Sequence, residues 1–163
     1  MKLLPILLLA VAAALSTGCA GNDPSTAPAT SSSSSYEPAG ETTMVTLPDG
    51  FEVTAELALT PEKQFQGLMY RPELPVGHGM LFVFPTMERR GFFMFQCVIA
   101  LDIIWLDDNK RVVEISADTP PCAERDLRNC PTFGGAAEAV YVLELSAGQA
   151  AAHNIELGSE LAF

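Results

Sequence analysis

From Phe51 to Leu59 the chain alternates without a break: Phe51, Val53, Ala55, Leu57 and Leu59 share one parity, and Glu52, Thr54 and Glu56 the other. A period of two sorts side chains onto the two faces of an extended strand, which a helix cannot do. The rest of the chain follows the same pattern of short apolar runs broken by turn residues. Residues 44–47 make a first strand, turned into the second by Pro48-Asp49-Gly50. GMLFVF at 79–84 is a continuous apolar run closed by Pro85, as expected of a strand covered on both faces. Residues 92–96, 102–106, 111–116 and 140–145 read as further strands, with Asp107-Asp108-Asn109 as a turn and residues 161–163 as a closing edge. Helical signals are sparse. Thr60-Pro61-Glu62 supplies an N-cap, a proline at the first helical position and an early carboxylate, opening a helix over 61–69. A brief second helix falls within 146–153. Six to eight strands with one or two short helices predict a mainly β fold, a compact β-sandwich or small barrel.

The N-terminus obeys different rules. MKLLPILLLAVAAALSTGC, residues 1–19, has one lysine, an apolar run from Leu3 to Leu15 and small residues ahead of a cysteine. That composition is an export signal, and the run falls short of the roughly 20 residues a spanning helix needs. The ending LSTGC resembles a bacterial lipobox, in which the signal, residues 1–18, is removed and the Cys19 thiol is diacylated; ordinary cleavage after Ala20 is the alternative. Two or three acyl chains, at about 0.8 kcal/mol per buried methylene, hold a protein stably on a membrane. Ala20 after the cysteine resembles the sorting pattern for the outer membrane of Gram-negative cells. Residues 19–42 carry a serine run at 31–35 and prolines at 24, 28 and 38, the composition of a flexible tether. Residues 43–163 are then enough for one domain with its own core. The expected location is the cell envelope, with the domain held to the membrane through its N-terminal lipid anchor.

Charge narrows the partners. Nine basic against 20 acidic residues give a net charge of -11, which lacks the basic footprint nucleic acid requires. Cys122 and Cys130 lie in the proline-bounded polar stretch PPCAERDLRNCP, and in an exported protein they are assigned to a disulfide. Their spacing is not that of a C-x-x-C redox motif. Cys97 is left over as a small core residue. His78 and His153 add too few ligands for zinc, and His78, between Gly77 and Gly79, reads as an exposed loop residue. Met94 and Cys97 have opposite parity on a continuous strand, which argues against a soft-metal pair. No metal and no cofactor is expected. The chain carries no G-x-S-x-G elbow, no H-E-x-x-H and no P-loop.

Four blocks occur in a characteristic order: GLMYR at 67–71, GMLFVF at 79–84, FFMFQCVIALDIIWLDD at 92–108 and AVYVLELSAG at 139–148. Together they resemble the bacterial and archaeal family called domain of unknown function 192. The resemblance implies a compact β-rich fold, often exported, with no settled activity. The third block departs from the family pattern: where members commonly read Phe-Trp-Met-Lys-Asn-Thr, this chain has Phe92-Phe93-Met94-Phe95-Gln96-Cys97. Arg71, Met94 and Asp102 match. A carboxylate at 102, flanked by Leu101 and Ile103, is costly to bury unpaired, and Arg71 suits it as a bidentate partner. Asp102 is read first as part of a structural ion pair or as a backbone cap, with a place lining a ligand pocket or general acid-base catalysis as the alternatives. The expected binding surface therefore centres on Arg71, Gln96 and Asp102, bordered by Phe93, Phe95 and Trp105. The leading expectation is an anchored binding or accessory module for an envelope protein, a glycan or a small molecule. A hydrolase-like enzyme using Asp102 and Arg71, and a purely structural envelope protein, are the rivals.

Overall fold

The computed structural model describes residues 36–163. The signal segment 1–18, the lipidation cysteine Cys19 and the tether up to residue 35 lie outside the described residues.

Eight strands and two short helices follow one another as β1 (Thr42–Thr46), β2 (Glu52–Ala58), α1 (Pro61–Gln66), β3 (His78–Arg89), β4 (Phe92–Phe93), β5 (Leu101–Leu106), β6 (Val112–Thr119), β7 (Thr132–Phe133), β8 (Glu138–Ser146) and α2 (Gln149–Ala152). Six strands form one sheet in the order β1-β2-β3-β8-β5-β6, while β4 and β7 pair separately. Only β2 and β3 run parallel, so the segment between them has to cross over; α1 and residues 67–77 make that crossing.

Both faces of the large sheet are apolar. One face gathers Val45, Val53, Leu81, Ile104, Val112 and Leu143 into a single cluster that takes in both edge strands. The edges are also joined by the C-terminal segment. Thr46 and Ala162 exchange backbone hydrogen bonds, while Val112 exchanges them with Gly158 and Ser159. The sheet therefore curls around this cluster, and residues 158–162 span the gap at one end without making a closed barrel. The closing edge expected at 161–163 is thus two isolated bridges, Thr46 to Ala162 and Arg111 to Glu160. The outer face holds Ala58, Met80, Phe82, Ile103, Trp105 and Val142, covered by Leu68, Leu74, Met94, Cys97 and Cys122 from the connecting segments. Covering on both sides explains β5, whose six residues are all buried.

Three elements differ from their expected form. β3 does not stop at Pro85. It runs on to Arg89, and the register with β8 slips between Val83 and Glu88, where a residue without an N–H breaks no ladder bond. The run 92–96 is a strand only at Phe92–Phe93, with one bridge from Phe95 to Cys122, because Gln96 takes a positive φ of 56° and turns the chain. Helix α1 ends at Gln66 instead of reaching residue 69, since Gly67 at φ 48° stops it as its C-cap. At its start, Thr60 accepts a hydrogen bond from the Lys63 N–H, and Pro61 sits where its missing donor costs nothing. Cys122 and Cys130 form a disulfide with their Cα atoms 5.8 Å apart.

Candidate functional site

Two glutamates stand in one row across the outer face. The register sets Glu56 beside Met80, Met80 beside Glu144, and Glu144 beside Ile103. Both are largely buried: Glu56 is 1% and Glu144 5% exposed. An ionised carboxylate placed so must be paired or must take up a proton.

Glu56 is paired. The Arg71 guanidinium donates to both of its oxygens, at 2.5 and 2.7 Å, and the Tyr36 hydroxyl donates to Oε1 at 2.8 Å. Burial alone would raise the Glu56 carboxyl, but the hydrogen bonds from Arg71 and Tyr36, with the Arg71 charge, hold it below its ordinary value. Burial and the Glu56 carboxylate push the Tyr36 phenol up to about 12, so it stays a donor. The cluster is closed by the His78 ring, whose centroid lies 4.6 Å from that of Tyr36.

Glu144 is not paired. Its Oε2 is buried without a hydrogen-bond partner, and burial pushes the acid up to about 8, leaving it mostly protonated at neutral pH. It stands at the back of a cavity of about 360 Å³, which lies within the usual size range of small-molecule sites. Residues 64–69 form one wall, Phe82 and Phe84 of β3 another, and residues 89–93 a third, with Cys97 beside the glutamate. Gly67 lies against the cavity wall. A Cβ there would lie 3.4 Å from the Phe82 ring and 3.9 Å from Glu144 Oε2, and the positive φ also disfavours any other residue.

The aromatic wall is braced from behind. Phe92 packs edge-on against both Phe82 and Trp105, with centroids 5.0 and 5.7 Å apart. Trp105 is fully buried and its indole donates to the Arg90 carbonyl at 2.8 Å. Gly134 allows this, because a Cβ at that position would sit 2.2 Å from the indole ring. At the mouth, Phe65 of α1 meets Phe93 at 6.1 Å, and the Arg90 guanidinium lies 4.0 Å over the Phe84 ring. A neutral carboxyl in such a setting donates a hydrogen bond, and one that titrates near neutrality can also pass a proton. The neighbouring thiol is less suited to chemistry: burial, then the charge of Glu144, pushes Cys97 up to about 12, far from a thiolate.

The profile of DUF192, Uncharacterized ACR, matches residues 44–163. The chain belongs to that family. A crystal structure of a protein of unknown function from Novosphingobium aromaticivorans DSM 12444 has a similar fold. Its TM-score is 0.68 at 30% identity, over 79% of this chain and 94% of that one. A crystal structure from Sinorhizobium meliloti 1021, provisionally named a transcription regulator, matches with a TM-score of 0.65 at 27% identity, over 73% and 89% of the two chains. No curated protein matches.

The site residues expected from the sequence do not converge in this DUF192 domain. Arg71 and Asp102 are not partners, because they serve opposite faces of the sheet. Asp102 shares parity with Ile104 and Leu106 on the inner face, whereas the partner of Arg71, Glu56, is on the outer one. Asp102 is 0% exposed and its two oxygens accept from the backbone N–H groups of Asp118, at 2.9 Å, and Ala150, at 2.7 Å. It ties β6 and the start of α2 to β5 as a cap on backbone donors, the structural alternative expected for it. Gln96 contributes its backbone instead of its side chain, its carbonyl accepting from the Tyr70 N–H at 2.8 Å. Phe93 lines the cavity, whereas Arg71, Phe95, Gln96 and Asp102 do not. Nor is His78 a free loop residue: it opens β3, and its Nδ1 is buried without a partner. Sequence reasoning passed over Glu144, although its parity with Val140 and Val142 in a strand of apolar residues marks it as a carboxylate on a buried face.

Proposed function

We propose that this domain is a binding module for a small, largely apolar molecule, held in the cavity between α1, β3 and residues 89–93. The observation that carries the reading is the buried, unpartnered Glu144 Oε2 behind an aromatic wall. A buried polar atom without a partner costs about 1–3 kcal/mol, and a ligand supplying that partner recovers it. The same atom recognises a ligand that carries a hydrogen-bonding oxygen or nitrogen. In this reading the lipobox cysteine Cys19 is diacylated and fixes the module to the envelope, while residues up to about 35 give it reach. The acidic surface and the cavity's size favour a small molecule over a nucleic acid. The arrangement of Arg71 and Asp102 does not favour a hydrolytic reading built on them.

Two experiments test the proposal. The uncharged fluorophore N-phenylnaphthylamine is expected to bind the full-length protein saturably, one per chain. Phe65→Ala and Phe93→Ala, at the mouth, should weaken it at least fivefold; equal binding by wild type and variants, or none at all, refutes the pocket. For the anchor, growth with a labelled palmitate should mark the wild-type protein and not Cys19→Ala, and an unlabelled wild type would refute lipidation as the tether.

A further inference from the structure

The mouth of the Glu144 cavity carries positive charge in a chain that is otherwise acidic. Two of the nine basic residues, Arg89 and Arg90, are adjacent on its rim, and both contribute to its lining. Arg89 is exposed and forms no ion pair among the described residues. Arg90 is held in place: its guanidinium lies over Phe84, and it donates to the Thr86 carbonyl at 2.7 Å. Its carboxylate neighbour Glu88 is 3.5 Å away and 59% exposed, a loose contact. The Arg90 Nε is buried without a partner, so this side also keeps a donor unused. At the back of the same cavity stands Glu144, with its own unused oxygen. One cavity thus presents two cationic groups at its entrance, aromatic walls between, and one hydrogen-bonding carboxyl at depth.

Resting on the binding reading above, we propose that the ligand is an amphiphilic anion. Its carboxylate or phosphate rests on Arg89 and Arg90, its apolar or aromatic body fills the cavity, and a hydroxyl or carbonyl at the far end meets Glu144. Guanidinium groups suit planar or tetrahedral anions because they donate in a fixed fork. A protonated Glu144 offers both a donor and an acceptor to the distal group, which an apolar ligand end could not use. The arrangement selects against cations at the mouth and against simple alkyl chains at the back.

Three related probes separate the parts of this proposal: p-coumarate, which has the anion, the aromatic body and the distal hydroxyl; its methyl ester, which lacks the charge; and cinnamate, which lacks the hydroxyl. Binding to the full-length protein is read by calorimetry near neutral pH. The proposal expects p-coumarate to bind at least tenfold more tightly than the ester and severalfold more tightly than cinnamate. Arg89→Glu should cut the preference for p-coumarate over the ester at least fivefold, and Glu144→Leu the preference over cinnamate. Equal or tighter binding of the ester overturns the proposal while leaving the apolar pocket intact. Parity of cinnamate with p-coumarate overturns the role of Glu144. Binding of none of the three by a protein that still binds N-phenylnaphthylamine overturns the amphiphilic anion alone, and loss of that binding as well removes the pocket reading.

Discussion

Replacing Glu144 by Gln keeps the shape of the side chain and removes its titration. In the folded domain burial raises this acid from 4.5 to about 8, while in the unfolded chain it titrates at its ordinary value. Between those values the native state holds a proton that the unfolded state has released. Stability therefore falls as pH rises through the interval, is at its fullest below about 4.5, and levels off above about 8. The slope is about 1.4 kcal/mol per pH unit, so the wild type should lose roughly 4 kcal/mol of this contribution between about pH 5 and about pH 8.5. That is a large part of the 5–15 kcal/mol that holds a typical domain together. In Glu144→Gln the contribution is absent. The variant should be slightly the weaker protein in acid, where it buries an amide with fewer partners, and clearly the stronger one in mild alkali. Urea unfolding followed by tryptophan fluorescence reports on the buried Trp105, the chain's single indole. The two proteins are compared across the pH range with the disulfide intact. The quantity to plot is the difference in unfolding free energy between variant and wild type, which cancels all other titrating groups. A difference that stays flat with pH would refute the account of Glu144 as a buried, unpaired acid.

Other substitutions probe the supports of the site. Asp102→Ala should cost about 2 kcal/mol or more in thermal or urea unfolding, because it leaves the buried Ala150 N–H without an acceptor and also removes the acceptor of the Asp118 N–H; a loss under about 1 kcal/mol would contradict the structural role. Arg71→Ala should destabilise by about 3–5 kcal/mol by stranding the Glu56 carboxylate, and adding Glu56→Gln should restore part of the loss; simple additivity of the two would show that they do not interact. Tyr36→Ala should expose residues 36–38 to limited proteolysis while the rest of the domain stays resistant, since the phenol fastens that end to Glu56 and Arg71, whereas Ala39 and Glu41 keep their own hydrogen bonds. Replacing both Cys122 and Cys130 by Ser should lower stability by about 2–3 kcal/mol in the chain-entropy model for so short a loop, measurable as a lower urea midpoint.

The tether's boundary and the glutamates show where local reading reached and where it stopped. Residues 36–42 look like linker in composition, yet Tyr36 docks on the outer face and the Leu57 N–H donates to the Glu41 carbonyl. Nothing near Tyr36 in sequence announces this, because its partners lie 20 and 35 residues away. Asp102 was recognisable as a carboxylate that needs partners, and it has them, but they are backbone donors brought in by β6 and α2. The likeness of Arg71 and Asp102 to a pair came from charge alone; strand parity separates them once the register is known. For Glu144 the opposite holds. Its parity was readable in the strand 140–145, but the cavity in front of it is built from residues 64–69, β3 and residues 89–93, which come together only in the folded chain.

The sequence by itself determined the elements. Two-residue alternation, turn residues, the Thr60–Pro61 cap and the half-cystine loop act over a few residues and need no knowledge of the rest, so the mainly β fold and the Cys122–Cys130 link follow from them. Only the tertiary structure decided which face each polar residue of a strand shares, and with whom. Pairing partners far apart in sequence are selected by the burial of both faces of one curled sheet, and that selection made Glu56 an ion pair, Asp102 a clasp and Glu144 an unsatisfied acid in a cavity.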